Sequence, residues 1–130
     1  MFPALDTLDA PARRTVRAYM DHFLDRRETG FGALFTEDGT FEGAFSGGAL
    51  QGRILIEAHF RHNVRRLFLD GVVSFQGVEV KGSRVVLHWE LLRSGPDGPL
   101  ATAGRTVLDL AEDGLLRKVK AEWDPKALVD

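Results

Sequence analysis

A chain of 130 residues, 44% hydrophobic and 28% charged, can bury a core and is too apolar to remain an unfolded coil. Its 17 basic and 19 acidic side chains leave a net charge of -2, so no basic field exists to hold a nucleic acid backbone. With no cysteine, disulfides, thiolate nucleophiles and sulfur metal ligands are excluded together.

The N-terminal MFPALDTLDAPARR carries acids where a signal peptide carries positive charge, and no apolar run approaches the roughly 18 residues that span a bilayer. A cytoplasmic location with no membrane partner is the expectation. The basic cluster Arg61, His62, Arg65 and Arg66 reads as a solvated helix face, so no nucleic acid partner is expected either.

Asp9 before Ala10 and Pro11 starts a helix, because its carboxylate can accept from free backbone amides and proline is tolerated in the first turn. The helix is predicted to reach about Arg27. Val16, Tyr19, Met20, Phe23 and Leu24 recur at three- and four-residue steps, which puts Tyr19 on the buried face.

A short second helix is predicted over Gly30 to Phe35, ended by Glu37-Asp38-Gly39, and Thr40 to Phe45 alternates as a strand. After the loop SGGALQG, Gly52 to about Arg66 reads as a third helix. Its stripe is Ile56, Phe60 and Val64, widened by Ile54, Leu55, Ala58 and His59.

The period then changes to two. Strands are predicted near Val72 to Val80, Arg84 to Arg93, Leu100 to Leu110 and Leu115 to Trp123, joined by turns too short for anything but antiparallel neighbours. Val85, Leu87, Trp89 and Leu91 share one face, as do Leu115, Val119, Ala121 and Trp123. The fold class is α+β in a single domain over 1–130: three N-terminal helices on a curved antiparallel sheet.

This order, with AYMDHFL, ALFTEDGTFEG and QGRILIEAHF, resembles the nuclear transport factor 2-like superfamily, in its SnoaL-like and ketosteroid isomerase-like branch. The family's pattern falls on Leu34, Phe35, Asp38, Phe41 and Glu42. The resemblance implies a cone around an apolar cavity, commonly in a homodimer, and activities ranging from isomerases, cyclases, dehydratases and epoxide hydrolases to binding proteins. Ketosteroid isomerase moves a proton with an aspartate base while a tyrosine and a protonated aspartate hold the oxyanion. On this chain the tyrosine matches Tyr19, the base falls on Gly43, and the protonated acid falls at or beside Arg105. The isomerase's shape is therefore expected without its chemistry. The hydrolase arrangement of one arginine and two aspartates fails as well, at Val107 and Ala121.

The candidate polar contacts are Tyr19, His59 and Arg105, and the candidate walls are Phe23, Phe41, Trp89 and Trp123. Tyr19 reads either as a core phenol bonded to a backbone carbonyl or as a hydrogen-bond donor to a ligand. Arg105 shares its alternation with Ala101, Ala103 and Val107. Facing a cavity it would hold a carboxylate or enolate-like oxygen; otherwise it pairs with Glu57 or Glu90, or a register shift returns it to solvent. His59 reads as a satisfied core residue or a proton-transfer group, and His88 as a weaker candidate on the other alternation. His59 and His62 lie one turn apart without converging carboxylates, so no metal is expected, and no cofactor. Glu42 would serve as a base only if a bulge at Gly43 turned it inward.

These residues support three readings. The first is a pocket protein for a small, mainly apolar ligand. The second is an isomerase, cyclase, dehydratase or hydrolase using Tyr19, His59 and Arg105. The third is a solid dimerisation module whose contact is the outer sheet face (Val86, His88, Glu90, Leu92, Thr102, Thr106, Lys118, Lys120 and Glu122).

Overall fold

In a computed structural model the chain is described over residues 2–43, 46–66 and 71–123. Among the described residues there are two α-helices, α1 (Ala10–Leu24) and α2 (Arg53–Arg66), and six strands: β1 (Phe35–Glu42), β2 (Leu50–Gln51), β3 (Val72–Lys81), β4 (Arg84–Gly95), β5 (Gly98–Leu110) and β6 (Leu116–Glu122). Asp9 accepts from the Ala12 amide at 3.2 Å and so caps α1.

The expected short second helix is instead a single 3-10 turn, Gly32–Leu34, and another precedes α1 at Pro3–Thr7. The reason for the first lies in Glu57 of α2, whose Oε1 accepts from the amides of Gly30 (3.1 Å) and Gly32 (3.0 Å). Those amides, which the turn itself leaves without an acceptor, are thereby satisfied. A Cβ on Gly32 would lie 2.5 Å from the Arg53 carbonyl oxygen, so only glycine lets the turn sit this close to α2. β1 begins at Phe35, five residues earlier than expected; the predicted end of that strand, Ala44 and Phe45, lies outside the described residues.

The strand order is β2-β1-β6-β5-β4-β3, with β1 parallel to β6 and every other pair antiparallel. The sheet is thus mixed at that one pairing rather than wholly antiparallel. Pairing shifts between Phe75 and Gly77, between Asp109 and Leu110, and between Phe35 and Thr40, irregularities of the kind that bend a sheet around its contents.

Register decides which β5 residues face inward. Val85, Leu87, Trp89 and Leu91 oppose Leu108, Thr106, Gly104 and Thr102, and directly opposed residues share a face. Thr102 and Thr106 therefore point into the fold and are buried, not outward as expected. Arg105, opposite His88, points out. In β6 the irregularity at Leu110 makes Leu116, rather than Leu115, the fully buried leucine.

The core joins Val16, Tyr19 and Met20 of α1 and Ile56, Phe60 and Val64 of α2 to Val85, Leu87, Leu108 and Val119 of the sheet. Phe31 stacks flat on Phe60 with ring centroids 4.0 Å apart and 6° between planes, fastening the 3-10 turn to α2. Ile54 and Leu55 do not widen the buried stripe of α2: they are 87% and 57% exposed. No helix among the described residues is long and apolar enough to cross a membrane.

Candidate functional site

Between α1, α2 and the concave sheet face lies a cavity whose atom-free space, its open mouth included, is about 710 Å³. Tyr19, Phe23, Phe41, His59, Trp89 and Trp123 all line it, together with Gly43, Asn63, Phe75, Thr106 and Ala121. Six of the seven residues singled out from the sequence therefore converge. Arg105 does not.

The Arg105 guanidinium lies on the outer face, its Nε donating to Glu122 Oε2 at 2.8 Å with both side chains substantially exposed. That bond and charge hold the Glu122 carboxyl below its ordinary range. Neither partner considered from the sequence is used, since Glu57 caps the 3-10 turn and Glu90 opposes Ala103. His88 is also on the outer face, 2.7 Å from Glu79 Oε2. Thr40, Phe41 and Glu42 pair with β6 without a shift, which leaves buried Phe41 inward and Glu42 on the other face.

Within the cavity Tyr19 is 2% exposed. Burial pushes its phenol well above the ordinary value, against the opposing effect of a hydrogen bond with Thr106, so it stays protonated at neutral pH. Thr106 Oγ1 also accepts from Trp89 Nε1 at 2.9 Å. A hydroxyl has one proton and two lone pairs, so with one lone pair engaged by the indole it can still donate to Tyr19, freeing the phenol proton. Trp89 packs edge-on against Trp123 with centroids 5.4 Å apart. Gly104 makes this possible: a Cβ there would overlap the Trp89 ring.

The second polar group is His59, its ring centroid 5.8 Å from that of Phe41 and its Nε2 3.0 Å from Asn63 Nδ2. Burial, and secondarily the charge of His62, lowers its pKa, favouring the neutral imidazole. At Gly43, a Cβ would meet Phe41 Cε1 at 3.2 Å and Ala121 Cβ at 4.0 Å. Gly43, which the sequence resemblance matched to the isomerase's base, borders the cavity and offers no proton acceptor. Among the described residues no aspartate, glutamate, lysine or arginine lines the cavity. No group of three or more potential metal ligands occurs among the described residues.

Asn63, Thr106 and Gly104 were not anticipated as site residues. Asn63 could have been found from its four-residue spacing to His59, and the other two from setting the β4–β5 turn at Pro96-Asp97, which fixes every partner above it.

The family model for the SnoaL-like domain matches residues 16–119. The chain belongs to that family, within the nuclear transport factor 2-like superfamily. No curated protein matches the sequence. Solved structures that share the fold include an NTF2-like protein of unknown function from Burkholderia pseudomallei K96243 (TM-score 0.76, 16% identity, covering 93% of this chain and 99% of that one). A steroid delta-isomerase from Pseudomonas aeruginosa is similar too (0.75, 17%, 93% and 88%). So is a hypothetical protein with a ketosteroid isomerase-like fold from Catenulispora acidiphila DSM 44928, in complex with trimethylamine (0.74, 17%, 88% and 88%).

Proposed function

We propose that this SnoaL-like protein binds a small, mainly apolar molecule in the cavity, with Tyr19 and His59 as its polar contacts and Phe23, Phe41, Trp89 and Trp123 as its walls. The observation that carries this reading is a cavity rich in aromatic side chains that contains polar atoms but, among the described residues, no formally charged side chain. Apolar walls supply the binding energy, a few placed polar groups orient the guest, and a charged guest would lose hydration without gaining a counter-ion. The cavity counts against a domain filled solid by its own side chains. As part of the same proposal, two copies pair through the outer sheet face, where Val86, Leu92 and Val107 lie among charged groups; sedimentation equilibrium would give the subunit count.

One observation favours a second reading, a proton-transfer enzyme. His59 is held toward its neutral form and Tyr19 is held protonated, which suits an acceptor and a donor. Arg105 takes no part in that version.

Fluorescence titration with naphthalene tests the binding reading, since Trp89 and Trp123 both border the cavity. Quenching that saturates in the wild type and disappears in a folded Ala121→Phe variant is expected. Quenching that is absent, or unchanged by the added ring, contradicts the proposal.

A further inference from the structure

We infer that His59 and Asn63 form an adaptable polar subsite on the α2 wall, which takes a hydroxyl or carbonyl group of the bound molecule on His59 Nδ1. This deepens the reading above and rests on it. A four-residue spacing puts the two side chains on one face of α2, and both line the cavity. Asn63 engages only one ring nitrogen, Nε2, at 3.0 Å. Among the described residues the other nitrogen, Nδ1, has no hydrogen-bond partner.

A primary amide has a donor end and an acceptor end, and a neutral imidazole has one nitrogen of each kind. With Asn63 Nδ2 toward Nε2, that nitrogen accepts, so the ring proton sits on Nδ1 and can be donated to a carbonyl oxygen. Turning the amide over presents Oδ1, which accepts from Nε2–H and leaves the Nδ1 lone pair for a hydroxyl proton. Either state is neutral, and both ring nitrogens are satisfied once a guest is bound. Such a contact suits a cavity whose described lining carries no formal charge, where an ionised partner would stand uncompensated. The guest chemistry that fits is a neutral unsaturated ring compound bearing a hydroxyl or carbonyl group.

The test compares naphthalene with 2-naphthol in the wild type, in His59→Leu and in His88→Gln, the last on the outer face and away from the cavity, and follows the imidazole nitrogens of 15N-histidine-labelled wild-type protein by NMR. A hydroxyl that gains one good hydrogen bond should tighten binding roughly fivefold to tenfold over naphthalene. The gain should survive in His88→Gln and vanish in His59→Leu, while the His59 nitrogens shift with 2-naphthol and not with naphthalene. If naphthalene binds but the hydroxyl adds nothing, or its gain survives in His59→Leu, or the His59 nitrogens stay still, the subsite is wrong and the binding cavity stands. If neither probe binds, the cavity reading falls and the subsite with it. Should His59→Leu fail to fold, the wild-type NMR result decides alone.

Discussion

Gly104 shows how much one missing side chain decides in this protein. Its lack of a Cβ lets the Trp89 indole lie against β5 and reach Thr106 at 2.9 Å, and Thr106 in turn holds Tyr19. In Gly104→Ala the new methyl would also sit 2.8 Å from the Glu122 carbonyl oxygen, so the indole must move. We expect a loss of about 1–3 kcal/mol in urea unfolding, the usual cost of overpacking, with a changed near-UV tryptophan signal. An unchanged midpoint and spectrum would show that the indole does not depend on this contact. His59 gives a prediction in pH. Its pKa lies below the ordinary 6.5 in the folded state, so the unfolded chain takes up the extra proton as pH falls through that value. The stability it contributes is full above about pH 6.5 and is lost on acidification toward its folded pKa. Glu79 and Glu122, whose carboxyls are lowered by His88 and Arg105, act in a separate window below 4.5. Unfolding between about pH 5 and 7 should therefore be less pH-dependent in His59→Gln than in the wild type; equal slopes would contradict the burial of this imidazole.

At the scale of elements, α2 organises the site from one side. Ile56, Phe60 and Val64 anchor it, His59 and Asn63 face the cavity, and Glu57 reaches out to hold the 3-10 turn. Glu57 accepts two backbone amides and pairs with Arg61 at 3.3 Å, so Glu57→Ala leaves the Gly30 and Gly32 donors without that partner. Hydrogen bonds to a charged group contribute about 1.5–3 kcal/mol each when well shielded; this side chain is 27% exposed, so the lower end is expected, read as a lowered urea midpoint. Faster amide exchange at Gly32 should accompany it. The helices and β4 were legible because their apolar spacing is strong, and the convergence of Tyr19, His59 and the aromatic walls followed from those faces. The 3-10 turn was not legible, since its cause is a glutamate 25 positions from Gly32. Arg105 was misplaced because Ala101 and Ala103 look more like a cavity lining than Thr102, Gly104 and Thr106, although strand pairing gives the inner face to the latter.

At the scale of the whole molecule, a sheet bent by its pairing shifts and covered by α1 and α2 leaves aromatic walls around a space that no carboxylate among the described residues borders. Its fold is shared with a steroid delta-isomerase, and Gly43, which borders the cavity, can supply no base; on the reading proposed above, the space is a container with two polar poles. The most direct measurement is native mass spectrometry of the wild type and Ala121→Phe, each purified from the protein's own host. The expected result is a small-molecule adduct on the wild type, released by gentle activation and missing from the variant. Wild-type protein that carries no adduct, or a variant that carries the same one, would contradict the assignment of this cavity as a binding site.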